Sequence, residues 1–582
     1  MIANQLICKK LKENNTKVIF EYPGGNIAPI LDAVKLDGEI DLVVTRNDQA
    51  ASLMADAYAR AAGGVGVCMA TVGPGATNLI SGIATAYFDS IPMVAITGQV
   101  GTAFIKGNKD TRQIGFQEAD IVNMVKPVTK WAYTVKKPED IGQVIDKAFK
   151  TAESGRPGPV LIDIPMDVQR AMMEEVDILE YEDLKIKKTI IERSKIKTII
   201  QQIKNTKRPV IIAGGGVILS NASNELKNFS KKLSIPVTNT LMGLGSFDQQ
   251  DDLFLGFMGC YGSRYCNKIM AEADFILALG NRFDVRAIGT ESKRFSENKY
   301  IVHIDIDRAE INNRVKVNLP LNCDVKDALE LLNEEVEVQK INLRNEKWLS
   351  HIKEYKEKYS LENEYGLADS YDKVRPQYII RKISEITGGN AIITTDVGQH
   401  QMWTAQFFKY RFPRTNLTSG GFGNMGYGLP AAIAAKYAFK DKQVINITGD
   451  GSFQMNLQEL ATAVQYKTDV KIFIMRNNTL GLVKHFQDRN FPGKATSTEF
   501  EYNPDFVKLA EAYGIKAYTI QRAEQIDSIV SEALKYNGTA MVECSIDADE
   551  PSIPEIEGGH YIDDQYPYGR NLLKQSLNLK EV

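Results

Sequence analysis

Gly449-Asp450-Gly451-Ser452-Phe453 and, further on, Arg476-Asn477-Asn478-Thr479 bracket the stretch of this 582-residue chain that decides its fold. Val444 to Thr448 (VINIT) is a β-branched run that reads as a buried strand, and Val470 to Met475 (VKIFIM) reads as a second. Between them Leu457, Leu460, Ala461 and Val464 recur at helical spacing. Strand, helix and strand make a crossover, so the two strands are expected to be parallel neighbours. Asp450 and Asn477 then lie at the carboxyl ends of adjacent strands, the edge at which open α/β sheets bind ligands. A carboxylate, an amide oxygen and the Thr479 carbonyl are hard donors. They suit Mg²⁺, which keeps several waters and takes further oxygens from a diphosphate. Gly449 and Gly451 let the backbone approach such an anion, and the helix opening near Ser452 offers free N–H groups. A GDGS segment alone describes a plain turn equally well. The downstream strand ending in Asn477 favours the metal–diphosphate reading.

The same alternation extends through the chain and predicts an α/β protein of three doubly wound parallel-sheet domains. In residues 1–170, Leu42 to Thr45, Gly66 to Thr71 and Met93 to Thr97 read as strands, and Gln49 to Ala62 and Asn78 to Ser90 as helices. Residues 190–335 carry strands at Pro209 to Ala213, Phe275 to Leu279 and Ile301 to Ile306. The metal motif belongs to residues 373–550, and 551–582 form a tail. Two charged stretches, Glu174 to Lys195 and about 338–370, are the expected boundaries, since few apolar positions in them tie one core to the next.

A hydrophobic share of 43% supplies large cores, and a net charge of −3 excludes a mainly electrostatic nucleic-acid binder. Six scattered cysteines without a CxxC pair point to reduced thiols rather than a disulfide framework or zinc site. The N-terminus has no signal-peptide layout and no apolar run is long enough to span a bilayer, so a cytoplasmic location is expected.

Several ordered segments join the metal motif: Phe116 to Asp120 (FQEAD), Gly155 to Pro159 (GRPGP), Val397 to Trp403 (VGQHQMW) and Thr418 to Pro430 (TSGGFGNMGYGLP). With these, the chain resembles, over nearly its whole length, the thiamine-diphosphate (ThDP) enzymes of the acetolactate synthase group. The resemblance implies that the first and third domains bind the pyrimidine and the diphosphate of ThDP. It also implies that the cofactor lies between domains of different subunits, so a homo-oligomer, at least a dimer, is required. By position, Val397, Gly398, Gln399 and His400 match the diphosphate segment, Gly423 and Met425 the segment that holds the cofactor bent, and Gln117 a residue near the reacting carbon. For Met425 a core position, and for Gln117 a solvent-facing one, are the competing readings. Asp48, in Thr45-Arg46-Asn47-Asp48-Gln49, stands where the family carries a glutamate that activates the cofactor. It is shorter by one methylene, about 1.5 Å, and it equally suits capping of the helix that follows.

In the middle domain Gly214-Gly215-Gly216 follows a strand, as close approach to a phosphate requires, and Asp305 ends another, where it can take a ribose hydroxyl. The resemblance extends this to an FAD site comprising Arg156, Thr240-Leu241-Met242, Gly280, Arg282, Asp284, Arg286, Asp305-Ile306 and Asp324-Val325. The competing reading is a nucleotide-free domain. Arg286 also matches the arginine that meets the acceptor's carboxylate, a task a guanidinium performs with two hydrogen bonds; a surface ion pair is its alternative. The family's lysine, methionine and tryptophan near the substrate are Met166, Leu482 and Phe486 here.

The function implied is decarboxylation of pyruvate and transfer of the two-carbon unit to a second 2-oxo acid, giving 2-acetolactate on a branched-chain amino acid pathway. Transfer to a keto-sugar, a 2-oxo-acid decarboxylase or oxidase, and a catalytically weak ThDP-binding protein are the alternatives. A small regulatory subunit is a possible partner; nucleic acid and membrane are not expected ones.

Overall fold

A computed structural model describes residues 1–174, 190–367, 373–491 and 496–567. Three six-stranded sheets account for all its named strands, and every strand pairing within them is parallel. The first sheet holds β1 (Val18–Tyr22), β2 (Asp41–Val44), β3 (Gly66–Ala70), β4 (Met93–Gln99), β5 (Trp131–Thr134) and β6 (Pro159–Pro165), in the order β2-β1-β3-β4-β6-β5. The second holds β7 (Pro209–Ala213), β8 (Val237–Asn239), β9 (Phe254–Phe257), β10 (Phe275–Leu279), β11 (Tyr300–Asp305) and β12 (Leu319–Asn322), in the order β12-β11-β10-β7-β8-β9. The third holds β13 (Ile392–Thr395), β14 (Asn416–Leu417), β15 (Val444–Gly449), β16 (Val470–Arg476), β17 (Lys516–Ile520) and β18 (Ala540–Ser545), in the order β14-β13-β15-β16-β18-β17.

The first and third sheets thus share one topology, with the chain reversing direction between β1 and β3 and between β13 and β15. The middle sheet has the order of dinucleotide-binding folds, reversing between β7 and β10. Ligand crevices open at these reversals, beyond the carboxyl ends of the strands. The central strands β7, β10, β15 and β16 are buried on both faces, which is why they read as continuous β-branched runs rather than alternating ones.

The crossover expected between Val444 and Met475 is present, with β15 and β16 in parallel register and the helix Glu459–Gln465 between them. Asn78 to Ser90 is not one helix: Pro74–Asn78 and Ile80–Asp89 are separate segments joined at Leu79.

Two alanine-rich helices, Asp48–Ala62 and Gly428–Ala438, bring the first and third sheets under one hydrophobic cluster that runs from Phe20 and Met54 to Ile433 and Ile472. Small side chains let the helices approach closely. A buried polar knot pins them: Arg60 meets Asp56 (2.7 Å) and Asp89 (2.8 Å) and donates to Thr418 O, and Tyr427 Oη donates to Asp56.

The stretch 338–367 differs from the loose boundary expected; residues 368–370 of that boundary lie outside those described. Its helix Glu346–Lys358 sinks Trp348 and Ile352 into the middle-domain core, and Leu361, Tyr365 and Leu367 enter the core of the third domain. Apolar residues spaced among many lysines and glutamates were enough to dock it, because only one face needs to be covered. Of Glu174 to Lys195, residues 175–189 lie outside those described; Arg193 already begins a helix whose Ile196, Ile199 and Ile200 join the middle core. Residues 551–567 lie over the middle domain, with Ile556, Tyr561 and Ile562 in its core. Arg264 is tied to Gln565 O and to Glu364. The rest of the expected tail, 568–582, is outside the described residues.

Candidate active site

The third-sheet crevice is built by the turns after β13 and β15. Asp450 follows β15 directly and Asn477 follows β16 directly, so parallel pairing alone brings both to one edge. Asp450 is 1% exposed. Its Oδ2 accepts from Asn478 N (2.8 Å) and Asn503 Nδ2 (2.8 Å), and its Oδ1 from Gly451 N (3.2 Å). Burial still pushes its carboxyl up to about 6. A divalent cation would offset that desolvation. Asn477 Oδ1 accepts from Thr479 N, and its Nδ2 donates to Gln399 Oε1 (3.0 Å). The amide is therefore held with its oxygen toward the Thr479 turn. The turn itself is closed by Thr479 Oγ1 donating to Thr498 O and Leu480 N donating to Thr498 O.

Around this pair the expected diphosphate segment converges. Val397 O accepts from Ser452 Oγ, and a Cβ on Gly423, at φ +73°, would lie 4.0 Å from Val397 Cγ1. His400 packs its ring against Gly398 and Gly449, where a Cβ would meet it at 2.8 and 3.0 Å. Burial drives His400 down to about 3, so it is neutral, and its Nε2 is buried without a partner. An orphaned ring nitrogen, a buried carboxylate and two bare glycine backbones fit an anion carried by a metal ion. Gly451 faces Leu480 and Phe500, which leaves no room for a side chain. Met425 is half-buried beside this crevice. Gln399, buried, accepts from Asn477 and donates to Glu550 O (2.7 Å), so it orients the Asn477 amide. Among the described residues no cluster of three His, Cys, Asp or Glu suited to a metal occurs; the candidate donor set here is one carboxylate, one amide and one carbonyl.

The second cluster sits at the corresponding crevice of the first sheet. Asp48 is not the cap of the helix Asp48–Ala62. Asn47 is, its side chain accepting from Gln49 N, because Asn47 keeps extended backbone while Asp48 is already helical. The Asp48 carboxyl is thereby left for other work. Its Oδ2 accepts from Asn78 Nδ2 (3.2 Å), its Oδ1 is buried without a partner, and burial raises its pKa. A Cβ on Gly75 would meet Thr71 Cγ2 at 2.9 Å and Asp48 Oδ1 at 3.1 Å. Gln117 is half-buried at φ +66°, its backbone lying against Gly73 of the same loop. Asp48 and Gln117 are thus brought to one place. No hydrogen bond or ion pair among the described residues joins them to Asp450 within the chain.

The middle-domain cleft, about 310 Å³, gathers Arg156, Gly215, Gly216, Thr240, Met242, Gly280, Arg282, Asp284, Asp305, Ile306, Asp324 and Val325. Gly214 lies behind it: a Cβ there would overlap Gly280 O, so its bareness serves the packing of the β7 and β10 turns. Two of the carboxylates have helix ends to cap: Asp284 accepts from Arg286 N and Ala287 N, and Asp324 from Lys326 N and Asp327 N. Asp305 is raised to about 6 by burial. Arg156 bridges to Asp307 (2.9 Å) and Glu310 (2.8 Å), tying the first domain to the cleft.

Arg286 is exposed and has no ion-pair partner among the described residues, unlike the surface pair that was its alternative. It lines a smaller cavity with Leu241, Met242, Cys260 and Met402, between the cleft and the helix Gln399–Phe407. Asn503 and Asn78 escaped sequence reasoning, because each acts through a partner remote in the chain. Leu482 is partly buried in the third-domain core, whereas Phe486 is 54% exposed and touches Phe491.

Comparisons with known proteins follow this division. Residues 1–124 match the model of the thiamine pyrophosphate enzyme N-terminal TPP binding domain, 196–332 the central domain, and 396–544 the C-terminal TPP binding domain. The "Probable acetolactate synthase large subunit" of Methanocaldococcus jannaschii is 42% identical over 571 residues, covering 95% of this chain and 94% of that protein. The acetolactate synthase large subunit of Buchnera aphidicola subsp. Acyrthosiphon pisum is 40% identical (95% and 96%), and the isozyme 3 large subunit of Escherichia coli K12 is 39% identical (95% and 96%).

Proposed function

Because the chain belongs to the thiamine pyrophosphate enzymes of the acetolactate synthase type, and is a ThDP-dependent carboligase acting on 2-oxo acids, we propose a specific reaction and site. Pyruvate loses CO₂, and its remaining two-carbon unit is joined to the carbonyl carbon of a second pyruvate, giving 2-acetolactate. Bound ThDP supplies a nucleophilic carbon and an electron sink. The chain's own residues bind, orient and move protons.

Asp450, Asn477 and the Thr479 carbonyl would hold Mg²⁺, and the Val397–Gly398 and Gly449–Ser452 backbone with His400 would hold the diphosphate. The single observation that carries this reading is the placing of Asp450 and Asn477 at adjacent strand ends, next to Gly449, against which the His400 ring with its orphaned Nε2 packs. Gly423 and Met425 flank the cofactor's middle. Asp48 takes and returns a proton at the pyrimidine ring, and Gln117 stands near the reacting carbon. No hydrogen bond or ion pair among the described residues joins Asp48 to Asp450, in keeping with a complete site that draws one cluster from each of two subunits, with a homodimer as the smallest active form. Arg286, unpaired beside the Gln399–Phe407 helix, grips the acceptor carboxylate.

The middle-domain cleft takes FAD. The dinucleotide strand order, the glycine turn after β7 and Asp305 at the end of β11 support this. The relatives' designation as large subunits supports a small regulatory partner. We place the protein in the cytoplasm; no helix of the described residues is long and apolar enough to cross a membrane.

Purified protein with ThDP, Mg²⁺, FAD and labelled pyruvate is expected to yield CO₂ and acetolactate without another co-substrate. Acetaldehyde without ligation would replace the carboligase with a decarboxylase. Flavin released from the denatured protein tests the cleft; its absence after reconstitution with FAD would remove FAD from the proposal.

A further inference from the structure

Glu21 is a buried acid for which the proposed reaction has as yet no use. It sits one residue from the end of β1, opposite Val44 of β2 and Met69 of β3, at the strand reversal where the first sheet's crevice opens. It is 3% exposed, no ion pair or side-chain hydrogen bond to it occurs among the described residues, and Oε2 is buried without a partner. A buried carboxyl with an unsatisfied oxygen is costly, and in a folded protein it asks for a reason.

Its backbone is tied to the turn that carries Asp48. Thr45 N and Thr45 Oγ1 both donate to Glu21 O (2.9 and 3.2 Å), and the same hydroxyl lies 2.9 Å from Asn47 O. The Asp48 carboxyl, also buried and with an unpartnered oxygen, begins one residue later. Two acids with no ion-pair partner among the described residues thus stand on neighbouring elements, Glu21 near the end of β1 and Asp48 in the first turn of the helix that follows β2, the latter beside Gly75.

We propose that Glu21 is a positioning residue for Asp48: the two buried carboxyl groups together hold one proton, resting on Glu21, so that Asp48 is the member offered to the pyrimidine. This rests on the reading of Asp48 as the proton-exchanging group. When Asp48 takes up a proton from the ring, both carboxyls are protonated until Asp48 returns that proton to the same ring atom, so the pair gains and loses one proton and needs no further acceptor. Burial first, and then the Asp48 charge, raise Glu21 to about 7, which fits Glu21 as the protonated member.

The other ionisable groups nearby do not substitute for it. Cys68 on β3 is buried and its thiol is pushed above its usual range. Arg46 donates its backbone N–H to Glu459 and its guanidinium to Gln465. Glu459, at about 7, is satisfied by Thr462 and Arg46.

Infrared titration of the cofactor-free protein reads the carboxylic-acid C=O band directly. Subtracting the E21Q spectrum is expected to isolate one acid that ionises near neutral pH. In D48N that midpoint falls by roughly one pH unit, because the neighbouring charge is gone. With ThDP bound, E21Q is expected to slow C2 hydrogen exchange roughly 10-fold and to flatten its pH profile, with E21D recovering part of the loss.

A Glu21 band that ionises in the ordinary carboxylate range in the unsubstituted protein overturns the proposal, and so does an E21Q exchange profile matching the parent's. If E21Q does not fold, the D48N shift of the near-neutral acid band decides alone: no shift overturns the pairing. Failure of the unsubstituted protein to bind ThDP would instead sink the cofactor reading, leaving the infrared result intact.

Discussion

Gln399→Ala removes no candidate metal ligand, yet it should weaken metal binding, and the size of the effect can be worked out. Gln399 Oε1 accepts from Asn477 Nδ2 and its Nε2 donates to Glu550 O. Without that side chain the Asn477 amide is free to turn, and only one of its two orientations offers oxygen to a cation. Residues that orient a ligand in this way typically contribute about 10–100-fold to metal affinity, or roughly 1.4–2.8 kcal/mol. A buried donor left unpaired costs ~1–3 kcal/mol, so the two estimates agree.

The Mg²⁺ concentration for half-maximal ThDP uptake, read by calorimetry at stepped metal concentrations, is therefore expected to rise about 10–100-fold. Gly481→Ala provides an independent route to the same state, since a Cβ on Gly481 would overlap Gln399 Oε1 and force the amide away. Gln399→Glu keeps an acceptor for Asn477 but sets a carboxylate against Glu550 O. It should hold most of the metal affinity while lowering Tm. A Gln399→Ala protein whose Mg²⁺ dependence stays within about twofold of the parent would refute the orienting role, a change far below the effect expected here.

Asp48→Asn should retain ThDP binding yet lose C2 hydrogen exchange by ~10²–10⁴-fold, the usual cost of a removed acid–base group; deuterium exchange monitored by NMR checks this. Asp163, buried on β6 among Thr97, Gln99 and Thr134, is raised to about 7 by burial. An acid with a raised folded pKa binds its proton more tightly when folded, so its stabilising contribution is complete below the unfolded value and is lost as pH climbs toward 7. Up to roughly 4 kcal/mol is at stake. Asp163→Asn should flatten the fall in Tm between about pH 4 and pH 7; an unchanged slope would contradict it. Arg60→Met leaves Asp56 and Asp89 buried without their cation and should cost about 3–5 kcal/mol in denaturant unfolding, provided the transition is two-state.

Much of the candidate site could be read from the sequence because it depends on local order. VINIT and VKIFIM announce buried parallel strands, and a crossover between them puts the next residue of each at the same edge whatever else the chain does. The glycine turn after β7 was legible for the same reason. The split at Leu79 was not, because Gly73-Pro74-Gly75 starts a short helix whose end only the packing of the next one defines. The docking of 338–367 was hidden as well. Trp348 and Ile352 look sparse among lysines and glutamates until the groove they fill is known. Asp48 was ambiguous between cap and acid, and the extended backbone of Asn47 resolved it.

By itself, the sequence determined the three-sheet architecture, the family, and the meeting of Asp450 with Asn477, since strand periodicity and crossover handedness act over a few tens of residues. Only the tertiary structure decided that Gln399 bonds Asn477, that Asn503 braces Asp450, and that Glu21 is buried with an unpartnered oxygen at the strand end whose carbonyl takes Thr45. Those relations join side chains from separate elements, and their geometry is set by how whole sheets and helices pack, which no local pattern of residues encodes.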